Sequence, residues 1–432
     1  MNRSDYNLAQ WLEWMEQNHP TEIDLGLARV AQVFQRMNLD LSASKIISIA
    51  GTNGKGTTTA FLESIYLASD YTTLAYTSPH MLHYNERVRL NGVNVVDDLL
   101  IAAFNAIDRA MGQDNQRISL SYFEIGTLAA IYLISVQRPQ VALLEVGLGG
   151  RLDAVNIIDA HVSVITTLAI DHIDWLGDDI EQIGREKAGI ARSGRPLICG
   201  ELTPPNSIAE ISNEQNFLLY QAGKAFSFNI DKASNTWSWS GLDANDKPLV
   251  IERLAVTNLP VQNAATALQV IAKAGLDCPL PAIVSGLENA RALGRLQSVS
   301  YSGKTLLLDV AHNPQSANYL TKMLLQQIAS NKQTTKVHFV LGVLADKDCK
   351  GLINELMPVA AHWHLVPLDV ARGQSSEQLQ QIVVAQGVDV QSVSCYHDMQ
   401  SALDMVTATV TDEQLIVVAG SFFTVTAALN LL

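Results

Sequence analysis

A glycine-rich turn between an apolar run and a helix-compatible segment constrains the fold most strongly. Residues 46–59 read IISIAGTNGKGTTT. Gly51, Gly54 and Gly56 allow the backbone to curl so that several N–H groups point inward at an anion. The segment 57–68 that follows is predicted to be a helix, whose positive N-terminal end faces the same anion. Strand, glycine loop, lysine and hydroxyl together predict a loop that binds a nucleoside triphosphate.

The match to the common pattern G-x-x-x-x-G-K-[ST] is imperfect. Ile49 stands where the first glycine belongs, and Gly56 stands where the Ser or Thr belongs. Lys55 can still reach the β- and γ-phosphates, but Thr57 or Thr58 must then supply the hydroxyl for Mg²⁺. The alternative is a tight turn with an exposed lysine. The order of strand, turn and helix favours phosphate binding.

Composition narrows the class of protein. The chain has 432 residues, 48% of them hydrophobic, so we expect two domains. Its net charge of −14 argues against nucleic acid or an anionic membrane as a partner. The four cysteines form no C-x-x-C pair, which fits a reducing compartment. No signal peptide is evident, and the longest apolar run, 125–136, is too short to span a bilayer. We therefore expect a cytoplasmic protein.

Strand and helix patterns alternate along most of the chain, which predicts an α/β fold with a mostly parallel sheet and helices on both faces. Ligands of such a sheet gather beyond the carboxyl ends of its strands. In the first part the predicted strands are 46–50, 72–77, 141–146 and 162–167, and the predicted helices are 7–18, 25–39, 57–68, 97–111, 122–136, 180–191, 262–274 and 280–290.

The alternation of strand and helix patterns is interrupted once and then resumes. Residues 217–252 contain short β-rich pieces that predict a small antiparallel excursion. A second, smaller, Rossmann-like α/β unit begins near residue 295, within a boundary region 293–298, which gives domains 1–295 and 296–432. Its predicted strands are 304–309, 336–342, 361–366 and 414–419, and its predicted helices are 314–329, 375–386 and 397–410.

Polar residues follow several predicted strand ends. Ser78, Glu145 and His172 lie at three of them and could together hold a divalent ion beside a triphosphate. Histidine is an unusual Mg²⁺ ligand, and His172 could equally cap a helix or support a ligand. The alternative for Glu145 is a buried carboxylate that accepts backbone N–H groups of the glycine turn 147–150.

Other candidates have a plain structural alternative. Tyr122 and Phe123 could form an aromatic wall for a flat ring whose edge Glu124 binds. The spacing of Ser121 and Glu124 also fits a helix capping box, which the residue types alone favour two to one.

Charged and amide residues further along the chain are equally ambiguous. Lys187 lies in a mixed-charge cluster, where a lysine is usually solvated or ion-paired. Asn263 begins a helix, and a helix N-cap is its simplest interpretation. Residues 309–314, including Asp309 and His312, and residues 346–348 again place polar groups at strand ends.

Taken in order, the motifs closely resemble those of bacterial folylpolyglutamate synthases of the Mur ligase superfamily, most closely the bifunctional dihydrofolate synthase/folylpolyglutamate synthase group. The resemblance covers nearly the whole chain and rests on residues 24–27, 51–57, 78–80, 86–87, 122–124, 145–154, 171–172, 186–189, 263–265, 294–295 and 309–314.

The resemblance implies a P-loop ATPase-type N-terminal domain that binds ATP and pterin, and a C-terminal glutamate-ligase domain. It implies ATP contacts at Thr52, Asn53, Gly54, Lys55, Gly56, Thr57, Asn263, Arg295 and Asp309. It implies Mg²⁺ ligands at Ser78, Glu145 and His172, with two ions expected, and a carbamylated Lys187. It implies a pterin pocket at Glu22, Ile23, Asp24, Leu25, Ser121, Tyr122, Phe123, Glu124, Leu152, Asp153 and Ala154, against the simpler capping interpretation of Ser121 and Glu124.

The implied activity is the ATP-dependent joining of L-glutamate to dihydropteroate and to the γ-carboxylate of folates through an acyl phosphate. Lys55, Lys187, His172 and His312 are the expected catalytic residues, and Lys347 is expected to help position glutamate. We expect a monomer with small-molecule substrates only. The alternatives are a monofunctional folylpolyglutamate synthase, a Mur-type ligase acting on a uridine nucleotide, and a nucleotide switch without ligase activity.

One position departs from the family pattern. Relatives read Ser-Phe-His-Thr-Val near the C-terminus, whereas this chain has Phe423 in place of the histidine. This chain therefore lacks the side chain for any function that the histidine has in relatives.

Overall fold

The chain divides between Arg291 and Ala292 into two units, just before the predicted boundary. The structure, a computed structural model, describes residues 3–19, 24–113, 117–330, 336–411 and 413–432. Each unit contains one mostly parallel sheet with helices packed against it, which confirms the predicted α/β fold class. No helix among these described residues is long and apolar enough to cross a membrane.

The main sheet of unit 1 has eight strands in the order β4-β3-β2-β5-β1-β6-β7-β8. Neighbours are parallel except β2–β3 and β3–β4, which are antiparallel. The strands are β1 Lys45–Ala50, β2 Thr73–Tyr76, β3 Val88–Leu90, β4 Val93–Asn94, β5 Val141–Glu145, β6 Val162–Ile165, β7 Pro196–Cys199 and β8 Leu218–Gln221.

The predicted antiparallel excursion is confirmed as a three-stranded sheet in the order β11-β10-β9. Its strands are β9 Ser227–Asp231, β10 Thr236–Leu242 and β11 Pro248–Ala255. The prediction was wrong for the start of this region, because β8 pairs in parallel with β7 and so belongs to the main sheet.

Helices cover both faces of the main sheet. Tyr76 of β2 and Leu144 of β5 face a core that includes Trp11 and Phe104 from two helices. Ile49 of β1 is buried on the opposite face of the sheet. The helices of unit 1 are α1 Leu8–Asn18, α2 Ala28–Met37, α3 Lys55–Ala68, α4 Asp97–Met111, α5 Tyr122–Gln137, α6 Ile173–Leu176, α7 Ile180–Ala188, α8 Asn206–Gln215, α9 Val261–Lys273 and α10 Leu280–Asn289, with short 3-10 helices at Arg3–Asp5, Tyr84–Arg87 and Ala154–Ile157.

Unit 2 has a six-stranded sheet in the order β12-β13-β17-β14-β15-β16, in which only β12 runs antiparallel to its neighbour. In its core the ring of Phe339 stacks on Trp363 with centroids 5.5 Å apart. The elements are β12 Gln297–Tyr301, β13 Lys304–Leu308, β14 Val337–Leu341, β15 Ala360–Leu365, β16 Val393–Cys395 and β17 Leu415–Ala419, and α11 Pro314–Ser330, α12 Cys349–Leu356, α13 Ser376–Ala385, α14 Met399–Thr409 and α15 Phe422–Leu429, with a 3-10 helix at Val390–Ser392.

The strand order determines which loops of unit 1 can share a site. β2, β5, β1 and β6 are consecutive parallel neighbours, so their carboxyl ends lie at one edge of the sheet. The loops that follow these four strands carry the glycine turn, Ser78, the turn after Glu145 and the segment before His172. This edge is the place where a parallel sheet collects its ligands.

Candidate active site

The glycine turn after β1 is anchored to the end of β6. The backbone N–H of Thr52 donates to the carbonyl oxygen of Thr167 at 2.7 Å. The carbonyl oxygen of Asn53 accepts hydrogen bonds from the hydroxyls of Thr166, at 2.6 Å, and Thr167, at 3.0 Å. These bonds fix the backbone of the turn at Thr52 and Asn53.

Gly54 is the residue on which the helix start depends. It has φ +87°, a left-handed conformation that favours glycine, and α3 begins at Lys55, two residues before the predicted start. A Cβ added at Gly54 would lie 2.7 Å from Nδ2 of Asn263. The N-cap interpretation of Asn263 is wrong, because Pro260 is the N-cap of α9 and Asn263 lies within the helix, buried against the turn.

Two lysines converge on one carbonyl group of the turn. The Nζ atoms of Lys55 and Lys187 each lie 3.1 Å from the carbonyl oxygen of Gly51. Lys187 comes from α7 and is buried, contrary to the solvated lysine that its neighbours suggested. Burial, and then the charge of Lys55, lower the pKa of Lys187 to about 7, against the opposing effect of Asp171 and Asp153.

The turn after β5 is organised by Asp153. Its carboxylate accepts the backbone N–H groups of Gly147 at 3.1 Å, Leu148 at 2.9 Å and Val155 at 2.9 Å. Burial raises the pKa of Asp153 to about 6, while these three bonds oppose that rise. The carboxylate that accepts the backbone N–H groups of the glycine turn is therefore that of Asp153, and not that of Glu145, which the sequence had offered as an alternative. The neighbouring Leu152 is half-buried and Ala154 is buried.

The structure places two of the three metal candidates side by side. Glu145 is buried at the end of β5, and its Oε2 accepts the backbone N–H of Ser78 at 3.4 Å. Ser78 precedes a cis peptide bond to Pro79. His172 is exposed and is the N-cap of the short helix α6, with φ +53°. His172 thus lies at the N-cap position, while a capping role of its side chain and its metal ligation both stay predictions.

The chemistry of this edge fits a divalent ion held together with phosphate. Carboxylate and hydroxyl oxygens are the donors that Mg²⁺ prefers. A Cβ on Gly56 would lie 3.8 Å from Oε2 of Glu145, so the start of α3 faces that carboxylate. Thr57 and Thr58 are both buried there, and Oγ1 of Thr58 has no hydrogen-bond partner among the described residues. Among the described residues no group of three His, Cys, Asp or Glu side chains could hold a metal ion. Phosphate and serine oxygens would therefore have to complete the coordination of the divalent ion.

The predicted capping box at the start of α5 is present. The backbone N–H of Ser121 donates to Oε2 of Glu124 at 2.7 Å, and Glu124 N–H donates back to Ser121 Oγ at 3.3 Å. The second carboxylate oxygen is 3.1 Å from Arg29, whose guanidinium also pairs with Asp24 at 2.8 Å. Asp24 in turn contacts Nε2 of His19 at 3.1 Å.

This network joins two segments that were predicted to form one pocket. Asp24 and the half-buried Leu25 lie before α2, and Ser121 to Glu124 begin α5. Glu22 and Ile23 lie outside the described residues.

An aromatic wall follows the capping box. Tyr122 packs edge-on against Tyr84 with centroids 5.7 Å apart, and burial raises the pKa of Tyr122 to about 12. A Cβ on Gly147 would lie 2.5 Å from Cζ of Phe123, so only glycine allows this approach. Phe123 therefore contacts the turn that follows Glu145, which brings the aromatic wall to the phosphate edge.

In unit 2 the predicted polar residues gather after β13. Asp309 is buried and accepts the backbone N–H groups of Leu296 at 3.0 Å and Ala311 at 2.9 Å. Burial raises the pKa of Asp309, and the nearby charge of Arg295 opposes that rise. The rings of His312 and Phe422 have centroids 6.2 Å apart.

The remaining predicted positions of unit 2 surround this group. The guanidinium of Arg295 lies 5.4 Å from the centre of the Phe422 ring. Lys347 is half-buried, and Phe423 is 43% exposed near the start of α15.

Comparison with known proteins places the chain in a family. Residues 49–197 match the family model described as Mur ligase middle domain, and residues 294–422 match the Mur ligase, glutamate ligase domain. The dihydrofolate synthase/folylpolyglutamate synthase of Escherichia coli strain K12 is 41% identical over 418 residues, which cover 97% of this chain and 94% of that protein. The chain belongs to the dihydrofolate synthase/folylpolyglutamate synthase family.

Solved structures of this family share the whole fold. E. coli FolC in complex with DHPP and ADP is 39% identical, with a TM-score of 0.90 over 100% of this chain and 98% of that one. The bifunctional folylpolyglutamate synthase/dihydrofolate synthase from Yersinia pestis CO92, complexed with AMPPNP and a Mn ion, is 40% identical. Its TM-score is 0.89 over 100% of this chain and 99% of that chain.

Several residues of the site escaped sequence reasoning. Arg29 and Arg87 are long cations that each contact one residue nearby and one far along the chain, and spacing gave no signal for the distant partners, Glu124 and Tyr122. Glu86 and Arg87 belong to a motif shared with the family, but no function could be assigned to them from sequence. The two distant contacts form only when α5 packs against the elements that carry these arginines.

Proposed function

We propose that this chain is an ATP-dependent ligase that joins L-glutamate to dihydropteroate and to the γ-carboxylate of folates. The observation that carries the proposal is the convergence of Lys55 and Lys187 on the Gly51 carbonyl, in a glycine turn at the head of α3. In a family whose solved members bind DHPP with ADP, or AMPPNP with a Mn ion, this turn supports an ATP site.

The reaction must first activate a carboxylate, because its oxygen is a poor leaving group. A carboxylate oxygen of the acid attacks the γ-phosphorus of ATP, and the bond from that phosphorus to the ADP oxygen breaks. The amine nitrogen of glutamate then attacks the acyl carbon, the bond from that carbon to the phosphate oxygen breaks, and the amine gives a proton to solvent. Phosphate and ADP are the other products.

The phosphate turn supplies positive groups where negative charge develops. The ammonium of Lys55 and the N-terminal N–H groups of α3 would stabilise the transferring phosphoryl group. Thr52, Asn53, Gly54, Gly56 and Thr57 would contact the phosphates, with Asn263 packed behind Gly54.

A divalent cation would be held by Ser78, Glu145 and His172, with a second ion expected nearby. Mg²⁺ when bound supplies charge neutralisation of the phosphates. Glu145 and Ser78, already adjacent, provide the buried part of that site.

Lys187 is proposed to carry a carbamate. A pKa of about 7 leaves much of the amine neutral near neutral pH, and burial excludes competing water. The neutral nitrogen attacks the carbon of CO₂, an N–C bond forms, one C–O π bond opens, and a proton leaves the nitrogen. The lysine thereby exchanges a cation for an anion beside the phosphate turn.

The acid substrate would lie against the wall of Tyr122 and Phe123. Glu124 and Asp24 are fixed by Arg29, and Asp153 is fixed by backbone N–H groups, so these acids have defined positions before a ligand binds. The remaining proposed contacts of this pocket are Glu22, Ile23, Leu25, Ser121, Leu152 and Ala154.

Unit 2 is proposed to be the glutamate-ligase domain, and unit 1 the ATP- and pterin-binding domain. Arg295 and Asp309 would contact nucleotide, and His312 with Lys347 would position glutamate. The grouping of Asp309, Arg295 and His312 after β13 supports this assignment. We further propose a monomer in the cytoplasm. The four cysteines are free, which fits a reducing compartment.

Labelled glutamate tests the function directly. Protein, ATP and Mg²⁺ are incubated with labelled L-glutamate and either dihydropteroate or tetrahydrofolate. Incorporation with both acceptors is the expected result. Incorporation with tetrahydrofolate alone would make the chain monofunctional, and incorporation with neither acceptor would refute the proposal.

A further inference from the structure

The loop between β2 and the 3-10 helix Tyr84–Arg87 is held by its own sequence neighbours. The carboxylate of Glu86 accepts three backbone N–H groups in succession, from Met81 at 2.8 Å, Leu82 at 2.9 Å and His83 at 2.7 Å. A carboxylate with three such bonds fixes the backbone that donates them. The second half of the loop is therefore rigid.

Arg87 holds the first half of the same loop. Its Nε donates to Nδ1 of His80 at 2.9 Å, and its carbonyl oxygen accepts the backbone N–H of Thr77 at 2.9 Å. These two bonds bracket Ser78, the residue whose backbone N–H reaches Glu145. Arg87 is only 9% exposed, so both bonds are shielded from water.

The same guanidinium also contacts the substrate wall. Its Cζ lies 5.4 Å from the centre of the Tyr122 ring and 5.3 Å from that of Tyr84. A guanidinium at this distance attracts an aromatic face, and the attraction is stronger when both groups are shielded from water. Tyr122 is the first residue of α5, directly before Phe123 and Glu124.

We infer that Arg87 is a positioning residue that couples the Ser78 loop to the acid-substrate pocket. This inference rests on the proposed function. One rigid side chain connects the loop proposed to bind the divalent ion with the ring proposed to bind the acid. A displacement of Tyr122 by the acid is transmitted through Arg87 to His80 and thus to Ser78. The metal site and the acid site therefore share one positioning residue.

Two other residues each touch one side of this connection and serve as matched controls. His80 contacts Arg87 within the Ser78 loop, and its ring lies 5.7 Å from that of Tyr84. Arg29 contacts Glu124 and Asp24 in the substrate pocket. A change at His80 should affect the metal site, and a change at Arg29 should affect the acid site.

The test measures binding as well as activity, on the full chain. Mn²⁺ affinity in the presence of AMPPNP is read from the electron paramagnetic resonance signal of free Mn²⁺, and dihydropteroate affinity is measured by calorimetry. We expect Arg87→Met to weaken both affinities about tenfold, the usual cost of losing a residue that orients a ligand. His80→Ala should weaken Mn²⁺ alone, and Arg29→Met should weaken dihydropteroate alone.

An Arg87→Met protein that keeps either affinity within about twofold of wild type would overturn the inference. Circular dichroism and the thermal midpoint check folding. Should Arg87→Met not fold, Arg87→Lys replaces it, because it keeps a cation near the rings but lacks the Nε donor to His80. Arg87→Lys must then weaken Mn²⁺ more than dihydropteroate, and unchanged Mn²⁺ affinity would overturn the coupling. A failure of the proposed function is distinct, since wild type itself would then not bind dihydropteroate or ligate glutamate.

Discussion

Lys187 in unit 1 and Asp309 in unit 2 are buried charged side chains near the predicted sites, and their charges are balanced differently. Burial favours the neutral form of both, lowering the pKa of Lys187 in unit 1 to about 7 and raising the pKa of Asp309 in unit 2. At Lys187 the strongest charged neighbour, Lys55, adds to the effect of burial. At Asp309 the strongest charged neighbour, Arg295, opposes it.

This difference indicates that the lysine pair of unit 1, Lys55 and Lys187, requires an anion from a ligand or from a modification. When Lys187 is protonated, two ammonium groups at one carbonyl oxygen repel each other in a buried site, and a bound polyphosphate would relieve that repulsion; a carbamate on Lys187 would remove it. Asp309 already accepts two backbone N–H groups and has Arg295 nearby, so its charge is balanced within unit 2. We therefore expect changes at the lysine pair to alter catalysis, and changes around Asp309 to alter stability more.

Replacing Lys55 should have the largest effect. Lys55→Ala removes a cation that would stabilise the transferring phosphoryl group, and we expect ligation to fall by about 10³-fold, as for the loss of a preorganised charge donor. Glutamate incorporation measures the effect, and circular dichroism should show an unchanged fold.

Lys45→Ala is the matched control for this variant. Lys45 begins β1, at the opposite end of the same strand, so its loss should leave ligation unchanged. Substantial ligation by Lys55→Ala would show that the lysine pair does not serve phosphate, and the contrast between the two units would lose its meaning.

The carbamate at Lys187 gives the second prediction. In buffer freed of CO₂ the wild-type activity should fall and return on addition of bicarbonate, with a stronger requirement below about pH 7, where the amine is protonated. Lys187→Met should be about 10- to 100-fold less active and insensitive to bicarbonate.

Lys224→Met, at an exposed lysine, should keep both the activity and the bicarbonate response. A wild-type enzyme indifferent to CO₂ would mean that Lys187 acts as an amine. The repulsion between Lys187 and Lys55 would then be relieved by ATP alone.

Stability should depend on pH in opposite directions at the two buried groups. Between about pH 7 and the ordinary lysine pKa of 10.5 the unfolded chain holds a proton on Lys187 that the folded chain has lost. The free energy of unfolding therefore rises with pH in that window. Just above the ordinary aspartate pKa of 3.8 the folded chain holds the extra proton at Asp309, so the free energy of unfolding falls as pH rises.

Calorimetric unfolding midpoints in CO₂-free buffer measure both slopes. Lys187→Met should flatten the alkaline rise and leave the acid limb unchanged, and Asp309→Asn should do the converse. If both variants reproduced the wild-type profile, neither group would be as strongly shifted as its surroundings indicate.

The sequence predicted the phosphate turn because its parts are local. An apolar strand, three glycines and the start of a helix lie within fourteen residues, 46–59, and each has its own signal. The short strands β3 and β4 were not predicted, because two or three partly exposed residues carry no periodicity. The strands β7, β12 and β16, each three to five residues long, were not predicted either.

Contacts between distant parts of the chain were the least predictable. Lys187 resembled a surface lysine, since its mixed-charge neighbours give no sign that α7 packs over the turn at Gly51, 136 residues earlier. Asn263 resembled an N-cap because Pro260 gives no capping side chain. Residues 86–87 were named only as part of the family motif, and the contacts of Arg87 with His80 and Tyr122 carried no signal in the sequence.

Restoring the family histidine should have the smallest effect. Phe423 is 43% exposed and follows Phe422, the residue that contacts Arg295 and His312. Ser421 caps the helix through the N–H of Thr424, so Phe423→His changes neither the cap nor the core, and the free energy of unfolding should shift by no more than about 0.5 kcal/mol.

Phe422→Ala is the informative partner of Phe423→His, because it removes the ring that Arg295 and His312 share and should lower the unfolding midpoint clearly. Thermal unfolding and glutamate incorporation are measured for both variants. A large gain in ligation by Phe423→His would mean that unit 2 lacks a cation that the histidine supplies in relatives. The charges of unit 2 would then be balanced only while no substrate is bound. A small effect of Phe423→His beside a large effect of Phe422→Ala would show that the contacts among Arg295, His312 and Phe422 stabilise this region of unit 2.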